Sequence, residues 1–189
     1  MMNTESSSPC LSVVIPAYNE ESRLVPTLAA IHTYLETRDY SSEMIVVSDG
    51  STDDTARVAQ EWEPAGCSLT VIDRKENRGK GYTVREGASR ARGELILFSD
   101  ADHSTPIEEV EKLLPFFRDG YDLVIGSRNL RESELEIHQP FYRELMGRVF
   151  NGLVRAMTVR GIRDTQCGFK GFTRGAMEKI APLCLIDGF

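Results

Sequence analysis

The sequence predicts an α/β fold, a mostly parallel central sheet flanked by helices on both faces. Three observations carry that prediction. Short apolar runs of strand length alternate with segments of helical period over the first two thirds of the chain. The apolar runs end abruptly in polar, turn-forming clusters. A length of 189 residues, with 41% hydrophobic and 27% charged residues, suits one well-cored domain and is short for two.

The elements follow in order. Residues 1–10 are polar and read as a disordered tail, so the domain is set at 11–189. Residues 11–15 form a buried-strand run that stops at Pro16. A helical stretch over about 20–38 places Leu24, Leu28, Ile31 and Leu35 on one stripe. Residues 44–47 read as the second strand, closed by Ser48-Asp49-Gly50-Ser51. Thr52 is taken as the N-cap of the next helix, with Asp53 and Asp54 favourably placed in its first turn. Residues 69–72 give strand three, 80–91 a helix, 95–98 strand four, about 107–117 a helix and 123–125 strand five. Residues 129–140 are polar and read as a loop. Residues 141–159 are strongly amphipathic, with Tyr142, Leu145, Met146, Val149, Phe150, Leu153, Val154 and Met157 on one stripe. Residues 168–172 are a last short strand, followed by a helix to about 182.

Charge and composition exclude several classes. A formal charge of −7 argues against a general nucleic-acid binder. The average hides a local reversal: residues 141–163 hold five arginines and one acid, which suits a local anionic partner. Four widely spaced cysteines show no metal-binding pattern and read as thiols in a reducing compartment. There is no signal-peptide pattern and no apolar run near the roughly 18 residues of a membrane span. The expectation is a cytoplasmic protein, or one lying on the cytoplasmic face of a membrane. The 141–159 helix, with basic residues beside a broad apolar face, suits that peripheral contact, and packing on the domain core is the alternative.

In open parallel sheets, ligands bind beyond the carboxyl ends of the strands. Four polar clusters fall there: Pro16-Ala17-Tyr18-Asn19-Glu20, Ser48-Asp49-Gly50-Ser51, Ser99-Asp100-Ala101-Asp102 and Gly126-Ser127-Arg128. The sheet predicts that they converge on one rim. Asp100 and Asp102 can offer oxygens to Mg2+ or Mn2+, which take one or two carboxylates together with substrate phosphates. Such an ion would neutralise a pyrophosphate leaving group. The alternative is helix capping, since Pro106 opens a helix just downstream. Asp49 can accept hydrogen bonds from a base or ribose, or simply cap a turn. Tyr18 can stack on a base or close the strand. Glu20 can hold a ribose hydroxyl or serve as an N-terminal helix acid. Asn77-Arg78-Gly79-Lys80-Gly81 is like a phosphate loop without P-loop spacing, which leaves Lys80 as a phosphate contact.

The series PAYNEE, VSDGSTDDT, NRGKGYTVREG, SDAD, GSR and RDTQCGFKGF, in that order over residues 11–172, resembles the inverting family-2 glycosyltransferases. RDTQCGFK with FYR upstream is similar to the polyprenyl- and dolichyl-phosphate sugar transferases, and most to the dolichyl-phosphate β-glucosyltransferase branch, which uses UDP-glucose. The resemblance implies a GT-A fold, which is Rossmann-like, a nucleoside-diphosphate sugar donor, a polyprenyl-phosphate acceptor, Mg2+ or Mn2+, and inversion at the anomeric carbon. It implies that Pro16, Ala17, Tyr18, Glu20, Val47 and Asp49 surround the nucleoside. Asp100, Ala101 and Asp102 would contact ribose, metal and pyrophosphate, with Asp102 the direct metal ligand. Arg128 and Arg143 would face phosphates of donor or acceptor, and Asp164 and Gln166 would approach the sugar or acceptor. Asp102, Asp164 and Arg128 form the implied catalytic set.

Two departures from the family pattern stand out. Ser48 replaces a second acid, and the sequence stops where relatives continue, so the domain is expected to be incomplete at its C-terminus. A GDP-mannose-dependent polyprenyl-phosphate mannosyltransferase and a nucleotide-sugar-binding module without turnover are the alternatives. A sugar nucleotidyltransferase would need a Gly-rich basic loop after strand one, where Ala17-Tyr18-Asn19-Glu20 stands instead.

Overall fold

A computed structural model describes residues 8–64, 66–126 and 167–188. Its centre is a six-stranded sheet of order β3-β2-β1-β4-β6-β5. The strands are β1 (Leu11–Ala17), β2 (Ser42–Ser48), β3 (Ser68–Asp73), β4 (Leu95–Phe98), β5 (Leu123–Ile125) and β6 (Lys170–Thr173). The helices are α1 (Glu21–Glu36), α2 (Thr55–Glu61), α3 (Lys80–Arg90), α4 (Val110–Arg118) and α5 (Arg174–Ile180), with 3-10 turns at Ile107–Glu109 and Ala181–Leu183. Strands β1 to β4 are mutually parallel where they pair, as expected from the β-α alternation. β6 runs antiparallel to both β4 and β5.

Both faces of the sheet are covered, which is why its central strands read as unbroken apolar runs and not as alternating ones. Val13, Ile15, Met44, Val46 and Leu97 face the α1 side, against Leu24, Leu28 and Ile31. Val14, Ile45, Val47, Ile96 and Phe98 face the opposite way, with Ala88 of α3 and Met177 of α5. α3 lies so close to the sheet that a Cβ at Gly87 would stand 2.4 Å from Val14 Cγ1. Only glycine fits that contact.

Three expectations need correction. Pro16 does not end β1, which runs on to Ala17. Alternate residues of β1 bond alternate neighbours: the Ala17 carbonyl accepts from Asp49 N–H, whereas the Val14 carbonyl accepts from Ser99 N–H. Pro16 therefore presents its missing N–H on the β4 side, beyond the last paired residue Phe98, where no ladder bond is lost. Thr52 is not the N-cap of α2. The helix begins at Thr55, and the Asp53 carboxylate accepts from Thr55 N–H (3.0 Å) and its hydroxyl (2.5 Å). Ordered chain also starts before residue 11: Cys10 N–H donates to the Ser41 carbonyl and the Pro9 carbonyl accepts from Glu94 N–H.

None of the four cysteines forms a disulfide. No helix among the described residues is long and apolar enough to cross a membrane. The predicted loop at 129–140 and helix at 141–159 lie outside the described residues.

Candidate functional site

The carboxyl ends of β1, β2 and β4 meet at one rim, as the sheet direction requires. The loops after β1 and β2 are joined by reciprocal side-chain to backbone bonds. Asn19, in the left-handed region at φ 55°, accepts from Thr52 N–H at 2.9 Å through its side-chain oxygen. Glu20 N–H donates to the Thr55 hydroxyl at 2.7 Å. Asp53 accepts from Glu21 N–H at 3.2 Å, while Glu21 accepts from Asp54 N–H at 3.0 Å. Each helix start is thus capped by an acid from the other, which satisfies orphan N–H groups and sits well with the helix dipoles. Ser48, where a second acid was absent from the sequence, is fully buried and hydrogen-bonded to Ser51.

The Asp100-Ala101-Asp102 turn is held from two sides. The buried Thr27 hydroxyl of α1 lies 2.8 Å from the Ala101 carbonyl and 2.9 Å from that of Arg23, sharing its one proton between them. On the other side Gly168 packs on Asp100: a Cβ at Gly168 would fall 1.8 Å from Asp100 Oδ2. β6 is antiparallel, so its first residue pairs with Phe98, and residues 167–169 arrive at the same rim. Lys80 Nζ pairs with Asp100 Oδ1 at 2.5 Å. Asp102 accepts from Ser104 N–H at 3.0 Å and is otherwise exposed to the cleft. His103 beside it is left-handed, at φ 55°.

These loops enclose a cleft of about 360 Å³. Of the residues expected there, Pro16, Ala17, Tyr18, Glu20, Asp49, Lys80, Asp100, Ala101 and Asp102 line it. Tyr18 is 47% exposed at the mouth. Glu20 is engaged by Arg23 at 2.7 Å. Val47 does not line the cleft, and its side chain is buried in the core on the α3 side. Arg128, Arg143, Asp164 and Gln166 lie outside the described residues.

Asp49 is almost wholly buried, and its carboxylate anchors the loop before α3. It accepts from Arg78 N–H at 2.8 Å, from Gly79 N–H at 2.9 Å and from the Arg74 guanidinium. Arg74 also bridges to Glu86 at 3.1 Å. Sequence reasoning missed Arg74, and missed Asn77 and Thr83 as lining residues. One signal was present: four basic residues between 74 and 80 follow the strand next to Asp49.

A family model described as "Glycosyl transferase family 2" matches residues 12–181. The chain is 38% identical over 182 residues to a dolichyl-phosphate beta-glucosyltransferase of Trichomonas vaginalis, covering 90% of this chain and 55% of that protein. It is 41% identical over 190 residues to the Drosophila melanogaster protein of the same name, covering 93% and 58%. The chain therefore spans little more than half the length of these relatives. Among solved structures, a Pyrobaculum calidifontis mannosyltransferase in complex with GDP-Man and Mn2+ superposes with a TM-score of 0.64 at 22% identity, covering 93% of this chain and 47% of that one. A Mycobacterium tuberculosis glucosyl-3-phosphoglycerate synthase with Mn2+, UDP-glucose and phosphoglyceric acid gives 0.63 at 21%, covering 88% and 57%. Those identities speak for the fold.

Proposed function

The chain belongs to glycosyl transferase family 2, and from that membership we propose that it forms the donor-binding part of an enzyme moving glucose from UDP-glucose to a polyprenyl or dolichyl phosphate. One observation carries the reading. Loops distant in sequence meet at one rim and bring Asp100, Asp102, Lys80 and the exposed Tyr18 around one cleft, with Glu20 and Asp49 also lining it. The names of the sequence relatives support the lipid-phosphate acceptor and the sugar. The UDP-glucose and GDP-Man complexes of the structural neighbours support a nucleotide-sugar donor in this fold.

Asp102 and Asp100 would hold Mg2+ or Mn2+. The pair fits such an ion, because both carboxylates line the cleft and hard divalent cations complete their shells with water and phosphate oxygens. When bound, the ion supplies Lewis-acid neutralisation of the diphosphate. The chain's own groups divide the remaining work. Tyr18 offers a ring face to the base. Asp49 holds the loop that carries Lys80, and Lys80, paired with Asp100 at the cleft, would bring its positive charge beside the diphosphate. Arg128 stabilises the departing diphosphate, Arg143 and Gln166 receive the acceptor, and Asp164 orients it.

A lipid phosphate is anionic near neutral pH and needs no strong general base. Its oxygen forms the new bond as the bond from the anomeric carbon to the diphosphate breaks on the opposite face, which gives inversion. A lipid acceptor calls for a site at a membrane surface, which we propose is the cytoplasmic face, with residues 141–159 as the contact. Co-sedimentation with anionic liposomes, against neutral ones, tests that contact.

Calorimetry with UDP-glucose and with GDP-mannose, each with Mn2+ or Mg2+, followed by turnover on polyprenyl phosphate, separates donor choice, binding and catalysis. Asp102→Ala is expected to lose metal-dependent binding and transfer by at least about a hundredfold. Full turnover in a folded Asp102→Ala protein, or no binding of either donor by the unaltered chain, overturns the proposal.

A further inference from the structure

Gly79, Lys80 and Gly81 open α3 beside the cleft, and residues 186–188 cross over their outer side. The contact is close. A Cβ at Gly79 would stand 2.6 Å from the Asp187 carbonyl oxygen, and one at Gly81 would stand 2.6 Å from that of Ile186. Tyr82 N–H donates to the Asp187 carbonyl at 3.2 Å, and Arg85 donates to the Ile186 carbonyl at 3.0 Å. The Asp187 side chain is gripped by two arginines. Arg85 bonds one carboxylate oxygen, and Arg78 reaches the other at 3.3 Å. Both guanidinium groups lie over the Tyr82 ring, at 3.8 Å for Arg78 and 5.3 Å for Arg85. The hydrogen bond from Arg85, with Arg78 beside it, holds the Asp187 carboxyl below the usual carboxylate range.

The same loop is held from inside by Asp49, through Arg78 N–H and Gly79 N–H, and by the Lys80–Asp100 pair. Four residues, 78–81, are therefore fixed between two layers of carboxylates, Asp49 and Asp100 inside and Asp187 outside. Gly81 is explained by the outer layer, since a side chain there would lift the backbone strap off the helix start, and Gly79 meets the same strap and also stands in the left-handed region at φ 90°.

We propose that Asp187 is a positioning residue, which clamps Arg78 and Arg85 so that Lys80 and the first turn of α3 are set for the donor diphosphate. This rests on the reading of the cleft as a nucleotide-sugar site. With the clamp open, two guanidinium groups lose their carboxylate, and Arg78 carries its own N–H away from Asp49. The cost falls on donor affinity, because the loop must be re-ordered by each donor that binds.

The 189-residue chain with Asp187→Asn, and separately with Gly81→Ala, tests this. The second variant displaces the strap without touching a charge. Two readouts are needed: affinity for UDP-glucose with Mn2+ by calorimetry, and hydrogen exchange of the amides of residues 78–82. Both variants are expected to bind about tenfold more weakly and to exchange those amides faster, with Asp187→Glu recovering most of the affinity. Unchanged affinity, or unchanged exchange at 78–82 with only a lower Tm, overturns the clamp. If the unaltered chain binds no UDP-glucose, the donor reading fails, and the exchange measurement alone decides whether the strap orders the loop. Should Asp187→Asn not fold, Gly81→Ala decides it.

Discussion

Gly168 acts by what it lacks. Its Cα lies so near Asp100 that a methyl group would overlap the carboxylate, at 1.8 Å from Oδ2. Gly168→Ala must therefore turn Asp100 away from Lys80 and from the cleft, at a cost in strain of about 1–3 kcal/mol. We expect about tenfold or greater loss of Mn2+-dependent UDP-glucose binding with the fold retained, measured by calorimetry beside circular dichroism. Binding at the unaltered level would show that Asp100 is not needed at the ion. The sequence displayed Gly168 inside RDTQCGFK but gave no reason for it, because the reason is a neighbour 68 positions away.

At the scale of elements, α1 and α2 start from one shared cap. Asp53 serves Glu21 N–H on one helix and Thr55 N–H on the other, and these bonds outweigh its burial and hold its carboxyl below the usual range. Asp53→Ala removes both caps at once, with a cost of about 1–2 kcal/mol. For a domain of this size that corresponds to a fall in Tm of roughly 2–8 °C, readable by thermal denaturation. A Tm unchanged within error would mean that water caps both helices equally well. The turn signal Ser-Asp-Gly-Ser-Thr was legible in sequence, yet the cap was placed at Thr52 because the partner helix start, Glu21, is 32 residues away and invisible to local pattern.

For the whole molecule, the two ends of the sheet have separate duties. The rim at the carboxyl ends carries the cleft. The opposite end is closed by Glu43, which is buried and accepts from the Ser12 hydroxyl (2.7 Å), Arg92 N–H (2.7 Å) and the Arg92 guanidinium (2.7 and 2.9 Å). Burial alone would raise the Glu43 carboxyl, but the bonds from Ser12 and Arg92 prevail and lower it from 4.5. A carboxyl lowered on folding stabilises fully above its unfolded value and loses that contribution as pH falls through the folded value. Glu43→Gln is therefore expected to destabilise by roughly 2 kcal/mol at neutral pH, with the gap to the unaltered protein narrowing as the pH drops below 4.5. Urea titrations at pH 7 and pH 4 would show it, and donor affinity should not change. A gap that widens on acidification would contradict the sign.

Strand positions, helix positions and the gathering of three polar clusters on one edge were determined by the sequence alone. They depend on local period, on turn chemistry and on a sheet direction that β-α alternation imposes. The motif series also carried the family, and with it the GT-A fold that the solved neighbours share. Only the tertiary structure decided the antiparallel course of β6, which brings Gly168 to Asp100, and the crossing of residues 186–188 over α3. It likewise decided that Asp49 spends its carboxylate on Arg74, Arg78 and Gly79. These are contacts between segments far apart in the chain. They are set by packing and charge pairing in three dimensions, which no window of neighbouring residues encodes.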